Sequence, residues 1–547
     1  MKTKAVLCIL CVIVSSASAQ ITTEALLDTI QHTAFNFFWN EANPANGLIR
    51  DRQNVTSPNN APCSIAAVGF GLSAITIGVD HGWVTREAAR DRVLTTLKTF
   101  WYGPQGSGNA YAGNFGLFYH FLDMNTAKRT WTSELSTIDT ALLLAGIVDM
   151  KQYFTGSDTV ETLIRNLSDS IYYRMDWQKM RYFNPGIMLG WTPEHEFADQ
   201  NGVPYGQWTG YNEAMIMYIL AMGSPTHPVT YSGWQKWVSG YNPGYEYGYY
   251  YVKFPPLFGH QYSHCWIDFR NIADEWMKDY NLNYFENSRR ATLAQRAYSI
   301  ANPGKHKGYS DTLWGITASD IPPSLHNGNT YGAHGAPPAQ DDDGTIVPTA
   351  PISSLPFAPD EVMPVIKNMW NNYNSQLWSK YGFRDAFNLN INWWGPDVIG
   401  IDQGPIIIMI ENYRTGSVWK RFMQNPDVQR GLAVAKFTEI TNVESEKNIP
   451  NNFSLSQNYP NPFNPSTQIS YQVPIQSHVS LKVFDLIGNE VATLVHGVQS
   501  VGTHTVWFDA PHLSSGISAK GGYASGVYFY TLRSGQFTET KKMILLR

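Results

Sequence analysis

Between residues 63 and 436 two kinds of helical stretch alternate, one apolar on every side and one amphipathic. The segment "SIAAVGFGLSAITIG" (64–78) is apolar throughout, and "TREAARDRVLTTLKTFW" (85–101) follows it with Val93, Leu94, Leu97 and Trp101 at helical spacing. The pair recurs as "DTALLLAGIVDM" (139–150) and "DTVETLIRNLSDSIYY" (158–173), whose Val160, Leu163, Ile164, Leu167 and Ile171 form one stripe. Further pairs follow at 210–222 with 230–239, 263–278 with 286–300, 345–355 with 359–373, and 404–414 with 425–436. A helix apolar all round must be buried, and an amphipathic partner can cover it. Six pairs therefore predict a mainly α fold, an (α/α)6 barrel of six inner and six outer helices over residues 20–440. Pro348, Pro351 and Pro356 crowd the fifth inner member and reduce it to a turn or two.

Links from inner to outer helix are short, as in "FTGS" (154–157), whereas those from outer to next inner helix are long, at about 102–134, 175–208, 241–262, 301–344 and 374–403. Long loops inside a compact domain are usually functional, and all of these arrive at the N-terminal ends of inner helices, so they gather on one rim. Past residue 440 the pattern changes. Residues 441–452 read as a linker, and runs such as "HVSLKVFDLIGNEVATLV", "GTHTVWFDA" and "GVYFYTLRSG" have strand composition, which predicts a small β-sandwich over 453–547.

The start, "MKTKAVLCILCVIVSSASAQ", has a basic head, an apolar core and a small-residue finish, the pattern of a secretory signal over residues 1–19. No later apolar stretch is long enough to span a bilayer, so an exported chain without a transmembrane segment is expected. Cys63 and Cys265 then remain, either bridged or as two buried thiols, and no Cys/His spacing suggests zinc. The net charge of -5, with both signs scattered, disfavours a nucleic-acid partner. The 18 Trp and 31 Tyr suit stacking on sugar rings, though large cores use them too. "QDDDGT" (340–345) lacks the spacing of a calcium loop and reads as a polar turn, so neither metal nor cofactor is expected. A monomer is expected.

Three carboxylates open apolar inner helices on the proposed rim: Asp139, Glu213 and Asp402. Glycoside hydrolysis needs one carboxyl protonated to donate to the leaving oxygen and one ionised to act on water or carbon. Ser136 followed by Asp139 also fits a capping box, and Glu134 is an equal candidate in that segment. Glu213 faces the apolar run "AMIMYILAM", which favours a raised pKa. With Gly404 as cap and Pro405 as first helical residue, Asp402 lies just outside a helix entrance, where a helix-dipole role is the plainer reading. Loop residues mixing aromatic faces with charge supply candidate sugar contacts: Tyr119, Arg129, Trp191, Tyr211, Arg270, Asp311, Trp314, Arg384 and Trp394, with ordinary packing as the alternative for each.

The segments "GYSDTLWGITASD", "DDDGTIVPTAPISSLPFAPDEV", "YGFRDAFN" and "GIDQGPIIIMIENYRTG" resemble the bacterial glycoamylase-like domain, and "YNEAMIMYILAMGSPTHPV" resembles its endo-β-1,2-glucanase branch, glycoside hydrolase family 144. The resemblance covers about residues 21–436. It implies secretion and inverting hydrolysis of linear β-1,2-glucan to short sophoro-oligosaccharides, with Glu213 on the family's acidic Tyr-Asn-Glu position as general acid. Asp139 and Asp402 fall on its other acidic motifs, with the base role assigned to Asp402. An exo-acting enzyme releasing disaccharide, a non-catalytic glycan binder and a barrel acting on another linkage, a lyase included, stay open. The tail from "LSQNYPNPFNPSTQISYQVP" through "GVYFYTLRSGQFTETKKMILLR" resembles a type IX secretion sorting domain, which implies the type IX machinery as partner and a secreted or cell-surface location.

Overall fold

The computed structural model describes residues 21–57, 59–440, 453–474, 477–499, 502–510, 524–535 and 537–546; the expected signal (1–19) and linker (441–452) lie outside the described residues. The helices are α1 Thr23–Asn40, α2 Ile65–Asp80, α3 Arg86–Tyr102, α4 Thr137–Tyr153, α5 Thr159–Arg174, α6 Met215–Gly223, α7 Tyr231–Val238, α8 Glu275–Asp279, α9 Tyr284–Ala301, α10 Thr349–Ile352, α11 Pro359–Leu377, α12 Gly400–Arg414, α13 Ser417–Phe422 and α14 Pro426–Val434. Two compact units result. The first takes the chain to Asn242, Val252–Asp268 and Ala291–Lys436; the second takes Pro243–Tyr251, Phe269–Arg290 and the chain from Phe437.

In the first unit the apolar helices are those buried on every side. α2 lies against α4 and α12, and α4 against α6. Glycine allows the first of these contacts: a Cβ on Gly146 would stand 2.0 Å from the Gly69 carbonyl oxygen, and one on Gly69 2.2 Å from that of Leu142. The backbones of α2 and α4 therefore touch where any side chain would push them apart. The 3-10 turn Tyr262–Cys265 contacts both α6 and α12, which brings the inner elements into a closed circuit. The amphipathic helices α3 and α5 pack outside, buried along Val93, Leu97 and Phe100 and along Ile164, Leu167 and Ile171.

Four expectations are corrected. The pattern began at residue 63, yet α1 precedes it, capped by Thr22, whose hydroxyl accepts the Ala25 N–H. This helix covers α12, with Gln31 donating to the Ile407 carbonyl and the Glu411 carboxylate. Segment 425–436 is therefore not the outer partner of 404–414; its helix α14 packs on α6, where Gly431 admits the Ile219 carbonyl. The fourth inner helix expected at 263–278 is two 3-10 turns, Leu257–His260 and Tyr262–Cys265, because Asp274 accepts the Met277 N–H and starts the separate α8. Pro405 lies inside α12, which begins at Gly400 because the Gly400 N–H is held by the Asp51 carbonyl at 2.7 Å. The fifth inner member is the single turn α10, as its prolines required.

Short strands precede four of the inner elements and fix where they begin. Cys63–Ser64 pairs with Phe121–Leu122 before α2, Leu135–Ser136 with Gly190–Trp191 before α4, Thr345–Ile346 with Phe387–Asn388 before α10, and Asp397–Ile399 with Arg52–Asn54 before α12. Each loop is thus stitched to a helix N-terminus. In the second unit, the C-terminal strands form two antiparallel sheets. Ser454–Leu455, Ser466–Val473 and Gly502–Asp509 make one; Glu490–Gln499, Ser477–Phe484, Gly526–Ser534 and Phe537–Leu545 make the other. Alternate residues of both, including Ile469, Tyr471, Leu481, Tyr530 and Met543, share one apolar core. Cys63 and Cys265 are free and buried. No described helix is long and apolar enough to cross a membrane.

Candidate active site

The strand Arg52–Asn54, paired with Asp397–Ile399, sets Arg52 beside the entrance of α12. Its guanidinium reaches Asp51 at 2.9 Å, Asp320 at 2.8 Å and Asp397 at 3.4 Å. Asp402 stands in the first turn of α12, 3 % exposed, not outside the helix. Its side chain is hydrogen-bonded to that of Asp385, whose Oδ2 accepts the Asp320 N–H at 2.6 Å. Two carboxyls can bond in this way only when one holds a proton.

Burial, with the charge of Asp402 next, pushes Asp385 well above the usual carboxylate range. Burial also pushes Asp320 up to about 8. Asp402 is pushed up by burial to about 7, against the opposing hydrogen bond from Asp385. The proton therefore belongs to Asp385, and Asp402 is the acceptor. Asp402 Oδ2 and Asp385 Oδ1 are both sheltered and meet no N–H or hydroxyl donor among the described residues, which leaves the proton between the two carboxyls as what they share.

Glu213 occupies the turn before α6. That helix starts five residues later than its apolar pattern suggested, because Asn212 Oδ1 accepts the Ala214 N–H and the Trp237 indole N–H. Ser263 Oγ holds the turn by donating to the Glu213 carbonyl and accepting the Ile216 N–H. Burial pushes the Glu213 carboxyl up to about 7, with Asp139 adding to it, and Oε2 has no partner among the described residues. The Tyr262 hydroxyl, raised chiefly by burial, feels the charges of both Asp402 and Glu213.

Asp139 opens α4, whose N-cap is Ser136: Ser136 Oγ accepts the Asp139 N–H and donates to its Oδ2, so the carboxylate bonds to the capping hydroxyl and not, as in a capping box, to the Ser136 N–H. His120 joins it to Glu134, with Nδ1 2.8 Å from Glu134 and Nε2 3.6 Å from Asp139. Burial opposes a charge on His120, but the Asp139 charge and the Glu134 hydrogen bond lift its pKa to about 9, making it an imidazolium at neutral pH. The nitrogen and oxygen atoms of His120, Glu134 and Asp139 lie within 4.8 Å of one another, but with His120 protonated the cluster is an ion-paired triad, and the imidazolium has no lone pair for a cation.

The sugar-contact candidates divide. Tyr119 and Trp314 are wholly buried and offer no face to a ligand; the Tyr119 hydroxyl donates to the Gly106 carbonyl and holds that loop. Arg129 is buried in a two-pronged bond to Glu194 at 2.7 and 2.9 Å, over the Tyr119 ring. Trp191 packs edge-on to Phe115, and Tyr211 lies against His260. Arg384 and Trp394 are half-buried, the latter stacked on Phe387. Asp311 is exposed, and Arg270 is an exposed member of the second unit.

Sequence reading passed over Arg52, Asp51, His120, Asp320, Asp385 and Tyr262. Asp320, Asp385 and His120 stand inside the long rim loops 301–344, 374–403 and 102–134 singled out by their length, so part of the signal was present. What singles them out is whom they meet: Asp320 and Asp385 each other in the interior, and His120 the carboxylates of Glu134 and Asp139.

The family model "Glycoamylase", described as "Putative glucoamylase", matches residues 205–426. A protein of Bacteroides uniformis whose solved structure bears the same description is 33% identical over 77% of this chain and 98% of its own, with a TM-score of 0.69. The chain belongs to the glycoamylase-like family. Within that family, an endo-β-1,2-glucanase of Chitinophaga pinensis, solved with sophorotriose and glucose, is 28% identical over 77% of this glycoamylase-like chain and 99% of its own, with a TM-score of 0.68. The exo β-1,2-glucooligosaccharide sophorohydrolase (non-reducing end) of Parabacteroides distasonis is 32% identical over 77% of this chain; the match spans 59% of that relative's length.

Proposed function

We propose that this protein is a secreted, inverting glycoside hydrolase of (α/α)6-barrel fold that cuts linear β-1,2-glucan internally to short sophoro-oligosaccharides. The observation that carries the reading is the pair of carboxyls with opposite hydrogen-bonding situations on one rim. Glu213, whose carboxyl burial pushes up to about 7 so that a protonated fraction persists to neutral pH, donates its proton to the glycosidic oxygen as the bond to the anomeric carbon breaks. Asp402, held as an acceptor by the protonated Asp385, takes a proton from the water that attacks that carbon, directly or through a sugar hydroxyl. One proton leaves Glu213 and one arrives at Asp402, so the pair is restored by exchange with solvent. Arg52 balances part of the charge of Asp51 and Asp397 around the base and hydrogen-bonds to the Asp320 carboxyl. Relatives acting on β-1,2-glucan support the linkage.

The exo-acting Parabacteroides relative favours a second reading, release of disaccharide from the non-reducing end. Following product lengths from β-1,2-, β-1,3- and β-1,4-glucan separates these. A ladder from the β-1,2 polymer alone supports the endo reading, disaccharide at the earliest times supports the exo reading, and no cleavage refutes both. Export by residues 1–19 and by a C-terminal type IX sorting β-sandwich over 453–547 completes the proposal. Its support is the strand-rich region with one shared core, and loss of the protein from the culture medium on deleting that region tests it.

A further inference from the structure

Trp131 is 62 % exposed and adopts a left-handed backbone with φ 53°. That conformation is strained for a bulky residue and would be relaxed by glycine or asparagine, so the fold alone gives no reason for tryptophan here. Its position is nevertheless fixed. The Thr130 N–H donates to the Phe121 carbonyl at 3.0 Å, the Ser133 N–H donates to the Thr130 carbonyl, and the Phe121 N–H donates to Ser133 Oγ. Phe121 belongs to the short strand paired with Cys63–Ser64 at the head of α2. The Trp131 ring meets Phe121 at 5.2 Å, and Phe121 stacks on His120 at 4.0 Å and 13°. His120 in turn contacts Glu134 and Asp139. An aromatic path therefore leads from the carboxylate rim outward to an exposed indole.

We propose that Trp131, backed by Phe121, is a sugar-stacking subsite for a glucosyl unit of the chain beyond the bond being cut. The inference rests on the glucan-hydrolase reading. Pyranose rings present apolar C–H faces that an exposed indole covers. Tyr182, Phe183 and Tyr247 are also exposed aromatics with left-handed backbone; Trp131 is distinguished by its path through Phe121 and His120 to the carboxylate rim.

The test compares the unsubstituted full chain with W131N and W131F on β-1,2-gluco-oligosaccharides of increasing length and on the polymer. W131N relieves the backbone strain, so its melting temperature should equal or exceed that of the parent. Its KM for long substrates should rise by about three- to tenfold, with kcat and the shortest substrate unchanged, as an aromatic stacking contact predicts. W131F should recover most of the loss. If W131N leaves the polymer KM unchanged, or weakens all lengths equally while lowering the melting temperature, the subsite is refuted although the enzyme stands. If the unsubstituted chain cuts no β-1,2-glucan, the functional reading falls and the subsite with it.

Discussion

Asp385 offers the sharpest test of the proton arrangement. Its replacement by alanine removes the hydrogen bond to Asp402 without removing a negative charge, since burial keeps Asp385 protonated. A hydrogen bond to a charged group contributes roughly 1.5–3 kcal/mol, and at about 1.4 kcal/mol per pH unit its loss raises the pKa of Asp402 by roughly one to two units. The limb of the pH–kcat profile that reports ionisation of the base starts at about 7 and should move to roughly 8–9 on this reckoning. At pH 6, turnover should then fall by roughly 10- to 100-fold. Asp385→Asn keeps an N–H to donate to Asp402 and an oxygen to accept the Asp320 N–H, so its profile should stay near the parent's. Profiles of the three proteins between pH 4 and 9, with thermal melts to show that each is folded, decide the matter. An unmoved limb in a folded Asp385→Ala variant, or an equal shift in Asp385→Asn, would refute the shared-proton account.

Glu213→Gln preserves shape while removing the transferable proton, so kcat should fall by about 10²–10⁴-fold with little change in melting temperature; substantial residual turnover would exclude Glu213 as the acid. Stability should decline as pH rises from 6 to 9. Asp402, Asp320 and Glu213 have raised values in the folded chain, so they favour folding below the unfolded carboxylate range and lose that contribution as pH climbs through about 7 to 8. His120 adds to the same trend: its pairing contributes fully below the unfolded histidine value and is lost as pH rises through about 9. Urea midpoints at the two pH values check this, and a higher midpoint at pH 9 would contradict it. Gly146→Ala places a methyl 2.0 Å from the Gly69 carbonyl, and should cost about 1–3 kcal/mol by forcing α2 from α4, read as a lowered urea midpoint; an unchanged midpoint would show that the two helices part freely.

Much of the core was legible because periodicity reports how a segment meets solvent. The stretches 64–78 and 139–150 are apolar on all sides and are the buried α2 and α4. The same rule failed at 263–278, where Asp274 offered a competing cap that interrupts the run. Partner choice was not legible, since α12 is covered by a helix nearly four hundred residues earlier and the pattern of either helix is compatible with other neighbours. The rim carboxylates Asp139, Glu213 and Asp402 stood out by their place before apolar runs, whereas Asp385 and Asp320 were hidden among the loop charges.

The sequence by itself determined which segments leave water, that long loops gather at one end of the inner elements, and that carboxylates stand near those ends. Only the tertiary structure decided which carboxyls are protonated and which meet. Local pattern encodes solvent exposure over a few turns, whereas desolvation and charge pairing are set by groups as far apart in sequence as Arg52, Asp320 and Asp397, which become neighbours only when the strands bearing Arg52 and Asp397 pair.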